Sequence, residues 1–443
     1  MAGWWSKLKL RRQSSLPEPG DLNIIKNSNF TRLWSAQILS QVAQQLLNFA
    51  LIVRVFDLAQ GTRLANISVA LVVLSFGIPS IFLAAAAGVY VDHWNRKIVL
   101  VVANLIRGIL ALGYLAFEHN LAMVLLLSFL IASATQFFAP AEAASIPVLV
   151  GEKQLLRANS LFIFTMYASF IAGYGAASPI IALFGPQAPY YITSIMFLLA
   201  GLLVTRLPNM QAVKHTAISL KQLVASTFTE LKQNAKLIRS NTNLSFPILQ
   251  LTVSQAIVGV ILALAPALSL TILHRQIQNA SQFLILPAGI GMVIGVVMIG
   301  YLSKYYKKAK IISDGLIAGG LVLSLLGVTG IIERLSRTNH HHVAVSITVA
   351  FAVALLVLML GMTNGLVSIA AQTLLQEHTT DASRGKVFGA LNMMVNIAAT
   401  LPIFFAGILA DVFGVTRVIL VIGLALLIFA LAQARWLTTR KFT

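Results

Sequence analysis

Residues 66–117 read NISVALVVLSFGIPSIFLAAAAGVYVDHWNRKIVLVVANLIRGILALGYLAF. Two apolar runs, Asn66–Val91 and Ile98–Phe117, flank a short polar turn from Asp92 to Lys97. Each run is long enough to cross a hydrocarbon layer of about 30 Å as a helix. In that layer only a structure that bonds every backbone group internally is stable. The stretch therefore reads as a transmembrane helical hairpin.

Outward from this hairpin the pattern repeats until the chain holds twelve apolar segments. In the first half they are Phe30–Phe56, Asn66–Val91, Ile98–Phe117, Leu121–Ala143, Asn159–Phe184 and Ala188–Leu207. In the second they are Leu244–Leu273, Ser281–Ser303, Lys310–Ile332, Val343–Ala370, Gly385–Asp411 and Thr416–Leu437. Only 10% of the 443 residues are charged, against about a quarter in soluble domains, which excludes a soluble two-domain enzyme. The expected fold is an all-α integral membrane protein with twelve transmembrane helices in two six-helix halves.

The net charge of +19 can mean nucleic-acid binding or an asymmetry between the two sides of a membrane. The positions favour the membrane. With the N-terminus inside, 25 of the 32 Lys and Arg fall in inside segments and 6 in outside connections, with Arg107 buried in a helix. One missed helix would scramble that division. No nucleic-acid partner is expected. Both termini are expected in the cytoplasm, and the chain in a bacterial plasma membrane.

Residues 1–29 read as a cytoplasmic tail, residues 30–207 and 244–437 as the two bundles, and residues 438–443 as a short cytoplasmic end. Between the bundles, residues 208–243 carry Leu220, Leu223, Val224, Phe228, Leu231, Ala235 and Ile238 at helical spacing. That is an amphipathic linker helix on the cytoplasmic surface. The halves look like an internal repeat. Phe184-Gly185 closes segment five and Phe413-Gly414 follows segment eleven, while Gly88 and Gly300 are each followed four residues on by a charge.

The absence of cysteine removes disulfides, thiolate metal sites and a cysteine nucleophile. His340, His341 and His342 form a tract without a spaced acid cluster, which reads as a loop rather than a metal site. There is no phosphate-binding loop of the GxxxxGK[ST] type and no HExxH pair. No cofactor and no metal are expected, and the chain carries no nucleotide motif of its own for ATP-driven work.

The turn GVYVDHWNRK, Gly88 to Lys97, resembles the loop signature between helices 2 and 3 of the major facilitator superfamily. Further stretches resemble the branch holding macrolide-efflux proteins and the enterobactin exporter. They are FTRLWSAQILSQ in segment one, FFAPAEAASIPVLVGEKQLLRANSL from Phe137, and LLQEHTTDASRGKVFGAL from Leu374. The resemblance spans nearly the whole chain. It implies a secondary exporter of amphipathic small molecules coupled to an ion gradient, with protons as the expected ion. It departs at Asn104, where an acid is common, and at Lys304, which stands where the first half has Asp92.

Candidate site residues follow from placement. Gln37, Gln41, Gln44 and Asn48 share one helix face. They either line a central cavity or hold helices together. The cavity reading puts them opposite Gln250 and Ser254. Asn392 and Asn396 repeat the spacing in segment eleven, beside Met393 and Met394. A conformational latch is expected from Gly88, Asp92, Arg96, Lys97, Glu142, Arg384 and Gly385. In it Gly88 permits close helix approach, Asp92 docks on the helix that starts near Gly385, and Arg96 bridges to Glu142. Glu142 and Asp314 are the candidate ion-coupling acids.

The expected function is efflux by alternating access, from a monomer working on a small-molecule substrate in the lipid bilayer. A lysophospholipid flippase or importer is the alternative within transport. A membrane-embedded enzyme is the remote one, since it would need convergent reactive groups within the bundle.

Overall fold

A computed structural model describes residues 23–62, 64–151, 154–210, 242–273, 280–336, 342–377 and 401–439. After a single helical turn at Asn23–Lys26, the helices are α1 (Ser28–Ala59), α2 (Ala65–Phe82, resuming as Ala84–His93), α3 (Arg96–Phe117), α4 (Leu121–Val150), α5 (Leu155–Phe184) and α6 (Ala188–Thr205). The second group is α7 (Thr242–Thr271), α8 (Leu286–Leu302), α9 (Lys308–Ser336), α10 (His342–Glu377), α11 (Leu401–Phe413) and α12 (Val415–Thr439). Eleven of these are long and apolar enough to cross a membrane, α8 together with the π-helical turn Ser281–Ile285 that precedes it, and the described part of α11 is shorter. The chain is an all-α membrane protein, as its apolar segments dictate.

Local chemistry sets the helix ends. Asn27 caps α1 by accepting from the N–H of Asn29 and Phe30 at 3.1 and 3.2 Å. Asn95 and Asn120 cap α3 and α4 in the same way, satisfying donors that have no partner inside the helix. Gly185 and Gly414 follow α5 and α11 with φ of +88° and +87°. Left-handed backbone of this kind suits glycine, and its recurrence in both halves matches the internal repeat read from the sequence. The expected single helix Asn66–Val91 is divided at Leu83, four residues after Pro79, although the Leu83 N–H still donates to the Pro79 carbonyl at 2.8 Å and the Ala87 N–H to the Leu83 carbonyl at 2.7 Å; the bond that proline withholds is the one to Ser75, a turn earlier.

Gly88 departs from its expected role. A side-chain methyl there would meet nothing within 4 Å, and the same holds at Gly300. Close helix approach belongs instead to α8 and α10. An added Cβ at Gly291 or Gly295 would strike the backbone of Leu358 or Met362, and one at Gly361 or Gly365 that of Ala288 or Met292. Glycines four apart on both faces let these backbones touch, the small-residue packing that membrane helices use where no hydrophobic driving force separates them from lipid.

The packing is not uniform along the bundle axis. At the end where α1 meets α2 and α11 meets α12, one continuous apolar cluster joins both groups of helices. It runs from Phe49 and Val69 through Tyr174 to Leu264, Leu284 and Ile403. At the opposite end the core is two separate clusters. One lies around Phe30, Leu100 and Phe162, the other around Ile248, Ile312 and Leu375. Among the described residues, the two helix groups share an apolar core at the first end, called here the far end, and at the near end they do not.

Candidate functional site

The polar residues of α1 face inward, as their cost in lipid requires. Gln37 is buried and donates from Nε2 to the carbonyl of Phe162 on α5 at 3.3 Å. Gln44 donates to Asn48 Oδ1 at 2.8 Å, and Asn48 is hydrogen-bonded to the Tyr174 hydroxyl on α5. Gln41 is half-buried. The Oε1 atoms of Gln37 and Gln44 are buried without a hydrogen-bond partner. A buried amide left half-satisfied costs on the order of 1–3 kcal/mol.

Across the molecule, Ser254 on α7 bonds to α10. Asn364 donates from Nδ2 to Ser254 Oγ at 2.7 Å and to its carbonyl at 3.0 Å, and Ser254 and Ser368 share a hydroxyl bond of 2.9 Å. One turn before Ser254, Gln250 is fully buried with neither end of its amide bonded. A cavity of about 60 Å³ opens beside this group, lined by Ser254, Ile261, Met292, Gly319, Thr363 and Asn364. Its wall is almost wholly apolar, so it suits an apolar group that meets a few amides and hydroxyls. No hydrogen bond joins the α1 strip to Gln250 or Ser254 in the described residues. The two polar groups belong to different helix packs.

The charged site in the first bundle is reorganised relative to the sequence reading. Arg96 does reach α4, but its Nη1 donates to the carbonyl of Ala144 at 3.0 Å. The cation coupled electrostatically to Glu142 is Arg107. Arg107 is buried, donates to Asn104 Oδ1, and lies over the rings of Phe138 and Phe197 at 4.3 and 4.7 Å. Asn104 in turn accepts from Ser40 on α1 at 2.8 Å. Asn104 thus ties α3 to α1 through the bond from Ser40 and accepts a charge-assisted bond from Arg107 on its own helix. Glu142 keeps one carboxylate oxygen without a hydrogen-bond partner.

Asp314 lies on the exposed side of α9, where an acid needs no buried partner. The side chains of Asp92 and His342, and Arg384, Gly385, Asn392 and Asn396, lie outside the described residues, as do the linker helix, His340 and His341. Among the described residues, no group of three metal-ligating side chains comes together.

The sequence reading missed Asn364, Ser368 and Asp411. Asn364 is a lone amide in an apolar segment, LMLGMTNGLVS, a signal that was available. Asp411 ends α11 and accepts from three donors of α2, a contact across 345 positions that no local pattern announces.

Residues 33–402 match the family described as Major Facilitator Superfamily. Macrolide efflux protein A of Streptococcus pyogenes is 23% identical over 413 residues, covering 91% of this chain and 94% of that protein. The uncharacterized MFS-type transporter YkuC of Bacillus subtilis is 26% identical over 325 residues, 70% of this chain and 73% of that one. Among solved structures, the nucleoside transporter NupG superposes with a TM-score of 0.69 at 15% identity, covering 90% of this chain and 98% of that one. A bacterial homolog of the lysosomal transporter Spinster, inward-facing and unoccupied, gives 0.69 at 11% identity over 91% and 96%. At these identities the structural likeness establishes the fold.

Proposed function

We propose a function for this chain from one established premise: it belongs to the major facilitator superfamily. It is a multi-pass membrane transporter of small molecules, and it is not an enzyme. The finer reading is efflux of amphipathic small molecules from the cytoplasm, driven by an ion gradient, with protons as the coupling ion and a monomer as the working unit. The relation to macrolide efflux protein A supports the export direction and suggests a macrolide as the first compound to try.

One observation carries the reading. Among the described residues, the helix groups share an apolar core at the far end and have separate cores at the near end. Two bodies joined at one end and parted at the other are what alternating access requires. With the charge asymmetry of the sequence placing the near end in the cytoplasm, the arrangement corresponds to an inward-open state. The polar strip Gln37, Gln41, Gln44 and Asn48 and the group around Gln250 and Ser254, with Asn392 and Asn396 of the expected segment eleven, form the substrate path in this reading. Glu142 is the proton carrier. Closure of the near end brings Asp92, with Gly88, Arg96 and Lys97 around it, to Arg384 and Gly385.

The test is flux in proteoliposomes with a panel of macrolides, other amphipathic drugs and lysophospholipids. An imposed proton gradient is compared with a sodium gradient and with ATP alone. Proton-driven export of a drug supports the reading. Transport of lysophospholipid alone, or uphill transport on ATP without an ion gradient, overturns it.

A further inference from the structure

We propose that Asp411 is a latch that holds the far end of the transporter shut. Its carboxylate lies at the end of α11 and closes on the first turn of α2, in the other half of the molecule. Oδ1 accepts from the backbone N–H of Asn66 at 3.0 Å and from its side-chain amide at 2.7 Å, and Oδ2 accepts from the N–H of Ile67 at 2.9 Å. Both oxygens are used, and every donor comes from α2.

The sequence of α2 leaves this place open. Its N-cap is Leu64, which has no side-chain bond to give. The unsatisfied N–H groups and partial positive charge of a helix start are therefore met from α11. The helices are held close enough for it. An added Cβ on Gly407, one turn before Asp411, would stand 2.9 Å from both Ala70 Cβ and the Asn66 carbonyl oxygen. Asn66 is itself buried at the joint.

All three bonds need acceptor oxygens, and the charge–dipole part needs the ionised form. Breaking these bonds releases α2, and α2 with α11 spans the seam between the halves. The other titratable or charged groups on neighbouring elements are Arg54 and Asp57 near the end of α1, Arg63 in the next loop, His274 and Arg275 beyond α7, and Arg417 at the start of α12. Arg54 is engaged with Asp57 and Glu118. This proposal rests on alternating access, and it is independent of the substrate.

The chain has no native cysteine, so one reporter suffices. Ala267 on α7 is buried in the cluster shared by both halves, and Ala267→Cys reacts with a membrane-impermeant maleimide only when the far end opens. Labelling is measured at neutral pH in otherwise wild-type protein, D411N and D411E, and normalised to a fully exposed cysteine. D411N should label faster by roughly tenfold. D411E, which keeps the charge, should label more slowly than D411N and so exclude general misfolding. Equal or slower labelling of D411N, or labelling of D411E as fast as that of D411N, overturns the latch. A reporter that never labels in any variant overturns the latch and alternating access together.

Discussion

Arg107 and Glu142 are both buried in the bundle and act on one another electrostatically without a direct ion pair; α3 and α4 run antiparallel, and each side chain leans toward the start of its own helix. Arg107 begins about three turns into α3 and leans back toward the near end. Glu142 lies late in α4 and leans the other way. Phe138 and Phe197 cover the guanidinium, so the pair is closed from lipid.

Removing one partner should cost more than removing both. R107M leaves the buried carboxylate without its cation and should lower stability by about 3–5 kcal/mol, whereas R107M/E142Q should recover most of that loss. Thermal unfolding in detergent, arranged as a double-mutant cycle, gives the coupling. Equal destabilisation by the single and double variants would show that Arg107 acts through Asn104 and the rings alone.

E142Q separates coupling from binding. The variant should lose uphill flux driven by a proton gradient and keep substrate counterflow, which needs conformational exchange without net proton transfer. Uphill flux at the wild-type rate in E142Q would remove Glu142 from the proton path.

Gln250 is expected to trade stability for transport. Both ends of its amide are buried and unbonded, so Q250L should stabilise the protein by about 1–3 kcal/mol. Transport should fall, because an amide kept at that cost is there to meet a ligand. A more stable Q250L with undiminished flux would make Gln250 a packing residue only.

N364A should do the reverse of Q250L. It breaks both bonds to Ser254 and should lower stability by about 1–2 kcal/mol. N364A/S254A should be worse than N364A alone only by the Ser254–Ser368 hydroxyl bond that the second substitution also removes. Additive losses in thermal unfolding would show that the two act separately.

Glycines that look alike in sequence should behave differently. G88A places a methyl in open space and should leave stability within about 0.5 kcal/mol or raise it slightly. G361A drives a methyl into the Ala288 backbone and should cost well over about 3 kcal/mol or prevent assembly. Monodispersity and melting temperature after purification would decide both.

What could be read without coordinates was whatever depends on local order along one helix. The length and apolarity of the segments determined that this is a polytopic helical membrane protein, since lipid accepts no other arrangement of such runs. The caps at Asn27, Asn95 and Asn120 and the glycine ends at Gly185 and Gly414 belong to the same class, because each acts on its own few residues. The inward face of the Gln37 strip followed from helical spacing and the cost of amides in lipid.

Partnership between helices was not readable in that way. The sequence points Arg96 at Glu142 because both lie toward one side of the membrane, but side-chain lean and antiparallel packing bring Arg107 to it. Gly88 carries a family signature and packs against nothing, while Gly361 and Gly365 carry none and bring two backbones together. Asp411 ends a helix without a visible partner, and folding delivers the unfilled start of α2 to it from 345 positions away. Spacing along a helix fixes which way a residue faces. What it faces depends on how the helices are brought together, and that is a property of the tertiary fold.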